Sequence, residues 1–201
     1  MRRALAHQTI NLAVCLLAGG ESTRLPGKLE SDAGGMPLLV RVYRNLAPIA
    51  PVTISAKAGF PPELDAALDA PVVVDRWARR GPLGGLLSAF GEMRAARVFV
   101  VAGDLPRVNA SVFDRLALAW STDCEAVVPE HVTAGVERIE PLCALYDRLA
   151  FLREAYPIFT SGSGSVRSVV ERLRATRIYF PDAGVFANVN TAKDHRALFQ
   201  R

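Results

Sequence analysis

The chain has 201 residues, half of them hydrophobic and 22% charged, with a formal net charge of +4. That is the make-up of one soluble domain with a full core. No block of five or six like charges suggests a nucleic-acid tail, and no apolar stretch is long enough to span a membrane.

Residues 1 to 10, beginning Met1-Arg2-Arg3, read as a loose arm. They are not read as a secretory signal, because cleavage after the short apolar run that follows would destroy the best motif in the chain. The protein is therefore expected in the cytoplasm, with residues 11–201 as a single domain. Leu12 to Leu17 is the first strand, and Pro37 to Leu46 is a helix with proline in its first turn. Val52 to Ser55 and Val72 to Val74 are strands on either side of a helix at Pro61 to Leu68. Gly81-Pro82 opens a helix to about Ala95, and Arg97 to Ala102 is the most apolar strand. A helix at Ser111 to Trp120 follows, capped by Asn109 or Ser111. Glu125 to Val128 and Pro141 to Tyr146 are strands; Arg148 to Tyr156 and Val166 to Leu173 are helices. The serine- and glycine-rich loop Thr160 to Ser165 is expected to cover the site. Arg177 to Phe180 and Val185 to Val189 are extended, and a last helix starts near Thr191.

Strands apolar on both faces, alternating with helices, give an α/β fold with a mainly parallel sheet covered by helices. In such sheets ligands bind beyond the carboxyl ends of the strands. Unusual residues accumulate at those points: Ala18 to Lys28, Ser55 to Lys57, Asp75 to Gly85, Gly103 to Pro106 and Asn188 to Asn190.

The first of these segments, Leu17-Ala18-Gly19-Gly20-Glu21-Ser22-Thr23-Arg24-Leu25-Pro26-Gly27-Lys28, can wrap a nucleotide. Glycines let backbone N–H groups approach phosphate oxygens. Arg24 and Lys28 can neutralise phosphate charge. The loop fits neither of the two common phosphate-binding signatures, and a plain turn is the competing reading. Asp104 ends the most apolar strand, where a carboxylate is costly unless it is paired or binds a cation. It is a candidate Mg²⁺ ligand; a turn-capping aspartate is the alternative. If it stands unpaired, asparagine there should leave the melting temperature level or raise it. Gly84 and Gly85 weaken a helix. They serve either close helix–sheet packing or room for a ligand. Asn188 and Asn190, two apart, face one side of an extended segment, and Asn190 or Thr191 can also cap the final helix. Cys15, Cys124 and Cys143 form no Cys-x-x-Cys pair, and His7, His131 and His195 have no metal-ligand spacing.

Taken together, five motifs in order resemble the nucleotidyltransferases of the molybdenum cofactor guanylyltransferase type, the MobA-like family. They are Leu17-Ala18-Gly19-Gly20 with Ser22, Arg24 and Lys28; Gly81-Pro82-Leu83-Gly84-Gly85; Asp104-Leu105-Pro106; Pro141-Leu142-Cys143-Ala144-Leu145-Tyr146; and Asn188-Val189-Asn190-Thr191. The chain departs from the family pattern at Leu25, at Pro26-Gly27 where the loop is shorter and lacks an aspartate, at Ser55-Ala56-Lys57, and at Ala192. The resemblance implies a single-domain, three-layer α/β/α fold of the Rossmann-like, nucleotide-diphospho-sugar transferase type. It implies transfer of GMP from GTP to molybdopterin or its metal-loaded form, with release of pyrophosphate. It assigns Mg²⁺ to Asp104 and catalytic phosphate contacts to Arg24 and Lys28. Leu17, Ala18, Gly19, Gly20, Ser55 and Asp75 would bind the nucleotide. Gly81, Pro82 and Leu83 would face the acceptor, and Asn188 and Asn190 the acceptor or the metal. Transient contact with proteins that deliver or receive the cofactor belongs to the same expectation. Two alternatives stay open: a cytidylyltransferase or other nucleotidyltransferase with a different phosphorylated acceptor, and a non-catalytic nucleotide-binding paralogue.

Overall fold

A computed structural model describes residues 11–19, 27–77, 80–162 and 164–199. The arm expected at 1–10 lies outside these residues, as do Gly20, Ser22 and Arg24.

Strands β1 (Leu12–Leu17), β2 (Val52–Ala56), β3 (Val72–Val74) and β4 (Arg97–Ala102) are parallel and lie side by side as β3-β2-β1-β4. Helices α1 (Leu38–Leu46), α2 (Pro62–Ala67) and α3 (Gly81–Glu92) return the chain between them. Beyond β4 come α4 (Ala110–Leu118), β5 (Ala126–Thr133), β6 (Val136–Ile139), β7 (Cys143–Asp147), α5 (Arg148–Thr160), α6 (Val166–Val170), β8 (Ala175–Tyr179) and α7 (Ala192–Phe199). β7 runs antiparallel beside β4, β5 antiparallel to β7, and β6 antiparallel to β5, while β8 joins β5 in parallel. The sheet is therefore mixed and mostly parallel, and its change of sense falls at β4.

Alternation along the central strands explains the three layers. Val14 and Leu16 of β1, with Phe99 and Val101 of β4, pack under α1 and α4 on one face. Cys15, Val98 and Val100 point the other way, into a cluster formed with α3, α5 and α6. Both faces are covered, as a parallel half-sheet requires. The three cysteines are free and buried, and burial pushes the Cys15 thiol up to about 12.

Several element boundaries differ from expectation. β5 continues to Thr133 and turns back as β6 through Ala134 and Gly135, both at positive φ. That two-residue turn matches the twist of a hairpin. α5 continues through Pro157 to Thr160, although proline cannot donate to the helix ladder. Burial of Ile158 and Phe159 holds the segment helical, and Phe159 packs against Trp77. α2 and α6 are shorter than expected, and α3 stops at Glu92. Val185 and Phe186, the start of the segment expected to be extended, lie instead in a 3-10 turn (Ala183–Phe186) opened by the Asp182 carboxylate, which accepts from Gly184 N–H.

Gly85 resolves the question of the paired glycines. A Cβ there would come within 2.9 Å of Ser55 Oγ and 3.5 Å of Leu17 Cδ2. The Ser55 hydroxyl, 1% exposed, donates to the Gly85 carbonyl. The glycine therefore lets α3 close onto β1 and β2. Gly85→Ala should lower stability by about 1–3 kcal/mol through overpacking. In a Ser55→Ala background the clash is gone and the better helix propensity of alanine should cancel most of the loss. Thermal melts of the two single variants and the double variant check this. Additive losses would show that the close approach at Ser55 is not the cause.

Candidate active site

The chain leaves β1 toward β2 and β3 on one side and later returns to β4 on the other. That reversal is the topological switch point, where the strand ends splay and leave a crevice. A cavity of about 370 Å³ opens there. It is lined by Leu17 and Gly19 at the end of β1, Ser55 and Lys57 at the end of β2, Asp75 after β3, Gly81 and Pro82 opening α3, and Asp104 after β4. Lys28 and Asn188 also line it.

The centre of the site is an ionic cluster. Lys28 Nζ lies 2.8 Å from Asp104 Oδ2 and donates to Asn190 Oδ1 at 3.2 Å. The Lys28 side chain is only 11% exposed and that of Asp104 20%, so the pair is well shielded from water. Backbone bonds position each member. Gly103 N–H donates to the Leu17 carbonyl at 2.8 Å, tying the end of β4 to the end of β1. A Cβ on Gly103 would meet that same carbonyl at 3.0 Å, so only glycine allows the approach. Val189, fully buried, donates its N–H to the Asp104 carbonyl at 3.0 Å. Of the flanking amides, Asn188 lines the cavity and Asn190 bonds Lys28. Asp194 then secures the turn: its carboxylate accepts from the N–H groups of Asn190 and Thr191 and from the Thr191 hydroxyl. The Thr191 hydroxyl accepts in return from Asp194 N–H, which makes Thr191 the cap of α7. The Thr191 hydroxyl, followed by these backbone bonds, holds the Asp194 carboxyl below its usual range.

On the β3 side, Asp75 Oδ1 accepts from Trp77 N–H at 2.8 Å and from the Ser88 hydroxyl at 3.2 Å. These bonds fix the carboxylate at the cavity wall.

Three sequence assignments need correction. Leu83 was expected at the acceptor but is 2% exposed and belongs to the core cluster beneath α3. Ala18 was expected to offer its backbone N–H to the nucleotide, but that N–H donates to the Ser55 carbonyl at 2.7 Å, extending the sheet. The Ser55 hydroxyl is likewise engaged with Gly85, so its place in the wall is a packing role. In addition, no described residue of the loop 160–165 lines the cavity. Ser165 caps α6, and Ser161 bonds the Ile158 carbonyl.

Sequence reasoning assigned no role to Leu29, Lys57, Glu140 or Leu142, all of which line the cavity. Lys57 sits one residue beyond β2 and was visible as a strand-end residue. Glu140 and Leu142 enter at the start of β7, and only its pairing with β4 brings them near Asp104. Their one signal was the Pro141-Leu142 motif.

The donor set suits Mg²⁺. Two oxygens, Asp104 Oδ2 and Asn190 Oδ1, already converge on a cation, the Lys28 ammonium. Magnesium typically takes one or two carboxylates and fills its shell with water and phosphate oxygens. Among the described residues no group of three or more His, Cys, Asp or Glu side chains could hold a metal by itself.

A glycine-lined crevice at the switch point, walled by lysines and carboxylates, is the site of an α/β nucleotide-binding protein. The chain belongs to the MobA-like NTP transferase family, whose family model, described as "MobA-like NTP transferase domain", matches residues 14–177. It is 33% identical over 205 residues to a probable molybdenum cofactor guanylyltransferase of Mycobacterium avium strain 104, covering 96% of this chain and 97% of that protein. It is 32% identical over 203 residues to a molybdenum cofactor guanylyltransferase of Burkholderia orbicola strain MC0-3, covering 95% and 97%. In structure it resembles molybdopterin-guanine dinucleotide biosynthesis protein A of Archaeoglobus fulgidus, with TM-score 0.75 and 24% identity over 94% of this chain and 97% of that one. The same fold recurs in the 4-diphosphocytidyl-2C-methyl-D-erythritol synthase of Anaerococcus prevotii, at TM-score 0.76 and 11% identity over 93% and 95%. No described helix is long and apolar enough to cross a membrane.

Proposed function

We propose that the protein is a Mg²⁺-dependent molybdenum cofactor guanylyltransferase of the cytoplasm. It would join GMP from GTP to the phosphate of molybdopterin or molybdenum cofactor. The observation that carries this reading is the Lys28–Asp104–Asn190 cluster at the switch-point cavity, in a chain of this family. An acceptor phosphate oxygen attacks the α-phosphorus; the bond to the β-phosphate oxygen breaks, and pyrophosphate leaves. Lys28 binds triphosphate oxygens as a compact point charge. Asp104 and Asn190 would hold Mg²⁺, which would supply neutralisation of charge on the departing pyrophosphate. Leu29, Leu105 and Leu142 exclude water from the same space, which strengthens these interactions. Catalysis of this kind is positioning and charge neutralisation, and it needs no nucleophilic side chain.

The base is read by Asp75. With Oδ1 engaged by Trp77 and Ser88, the carboxylate is fixed and its Oδ2 is left to accept from guanine N1–H and N2–H₂. Cytosine and adenine lack that donor pair. GTP should exceed CTP and ATP in kcat/KM by roughly 100-fold or more, because the wrong base leaves a fixed polar group unpaired. A panel of nucleotides with Mg²⁺ and molybdopterin, read by pyrophosphate release and product mass, tests the whole reading. Equal or better use of CTP would favour the cytidylyl reading, whose fold this chain shares.

A further inference from the structure

His131 lies in β5, 4% exposed, and no step derived above uses it. Its Nε2 is 2.8 Å from Glu140 Oε1, its Nδ1 is 3.0 Å from Thr133 Oγ1, and its ring stacks on Phe186 at 5.3 Å. A neutral imidazole satisfies both contacts, with Nε2–H donating to Glu140 and the Thr133 hydroxyl donating to Nδ1. Glu140 is pinned through its backbone as well. Its N–H donates to the Pro129 carbonyl at 3.0 Å, and its carbonyl accepts from Cys143 N–H at 3.0 Å. A residue held at three points, once through its carboxylate and twice through its backbone, with its side chain still 26% exposed, forms part of the cavity wall.

Its place in the wall matters. The strand order β3-β2-β1-β4-β7 sets Asp75, Lys57, Asp104 and Glu140 along one crevice, with Asp75 and Glu140 at opposite ends. Lysines favour the triphosphate in the middle. A fixed carboxylate repels phosphate oxygens, so the Glu140 end suits a neutral group rich in N–H donors.

We propose that Glu140 is the acceptor-recognising carboxylate, taking hydrogen bonds from the N–H edge of a pterin, and that His131 is its positioning residue. The inference rests on the guanylyltransferase reading. A carboxylate accepting from N–H groups makes a charge-assisted contact, as Asp75 does toward guanine at the other end. The two ends of the product dinucleotide are then read by two carboxylates.

The test is steady-state kinetics with GTP and molybdopterin, each varied separately, together with direct binding of molybdopterin to the nucleotide-free protein. Glu140→Gln keeps the shape and an acceptor for His131 but turns a donor into the cavity. It should raise the KM and Kd for molybdopterin by about 10- to 100-fold, the worth of a charge-assisted hydrogen bond, and leave the KM for GTP unchanged. His131→Phe keeps the stack on Phe186 but releases Glu140, and should raise the molybdopterin KM by a smaller factor. His131→Gln, which restores a donor near Nε2, should recover most of that loss where a merely structural histidine would not be rescued. Unchanged molybdopterin KM and Kd in a folded Glu140→Gln variant would overturn the proposal while wild-type turnover left the guanylyltransferase reading standing. A raised Mg²⁺ requirement with unchanged molybdopterin KM would overturn it too, reassigning Glu140 to the metal. Failure of the wild type to bind molybdopterin would overturn both readings.

Discussion

Asp104→Asn should lower turnover by about 100- to 1,000-fold, the rate equivalent of losing several kcal/mol of charge stabilisation at the transferring phosphoryl group. Asparagine keeps the shape and the backbone bonds of Gly103 and Val189, so a collapsed fold would not explain the loss. The Mg²⁺ concentration for half-maximal rate should rise in parallel. The effect on stability follows from the partner. A lone carboxylate at a sheet edge would be relieved by the substitution, as the sequence alone suggests. Asp104 is not alone: it faces Lys28 at 2.8 Å. Asparagine can still accept from the ammonium, so the cost is the difference between a charge-assisted and an ordinary hydrogen bond, about 1 kcal/mol. The ligand-free melting temperature should therefore fall slightly. Turnover against Mg²⁺ for wild type and variant decides the role. Superimposable curves would make Asp104 a turn residue.

Lys28→Ala should cost about 100-fold or more in kcat/KM for GTP, through loss of a charged phosphate contact in a shielded site. It also strips Asp104 of its counter-ion. Lys28→Arg should recover only part of the activity. The guanidinium is a planar fork larger than the ammonium, and it must replace a point charge set between oxygens at 2.8 and 3.2 Å. The double variant Lys28→Ala/Asp104→Asn should lose much less than the product of the single losses, because the residues act as one unit. The measurement is kcat/KM across the four proteins, with ligand-free melts as a control. Full turnover in Lys28→Ala would leave the lysine with the sole role of neutralising Asp104.

The parallel half of the fold was legible because each of its strands is a short apolar run ending in a residue out of keeping with a core. Asp75 and Asp104 were found by that rule, and both line the cavity. The antiparallel half was less legible. β6 carries Glu137 and Arg138 on an exposed edge, so it has no apolar run to mark it, and Ala134-Gly135 is a weak turn signal. Missing β6 hid the contact between His131 and Glu140. Leu83 was misassigned because a motif places residues in order but does not say which face of a helix they occupy; α3 turns Leu83 into the core. Ala18 was misassigned because its N–H is engaged by Ser55, thirty-seven positions away, a partner that only the strand register reveals. Local pattern reports where a strand ends. It does not report which long-range bond is already made there.

The spacing of the ionic cluster along the chain bears on when the protein becomes competent. Lys28 meets Asp104 across 76 positions and Asn190 across 162. Contacts of such separation form late, since the intervening chain must be ordered before they repay the entropy of closure. A chain emerging from the ribosome with β1 to β4 already paired would hold Lys28 and Asp104 but not the amide that completes their cradle. The complete cradle therefore requires the final segment, which is tied to the end of β4 by the Val189 N–H to Asp104 carbonyl bond.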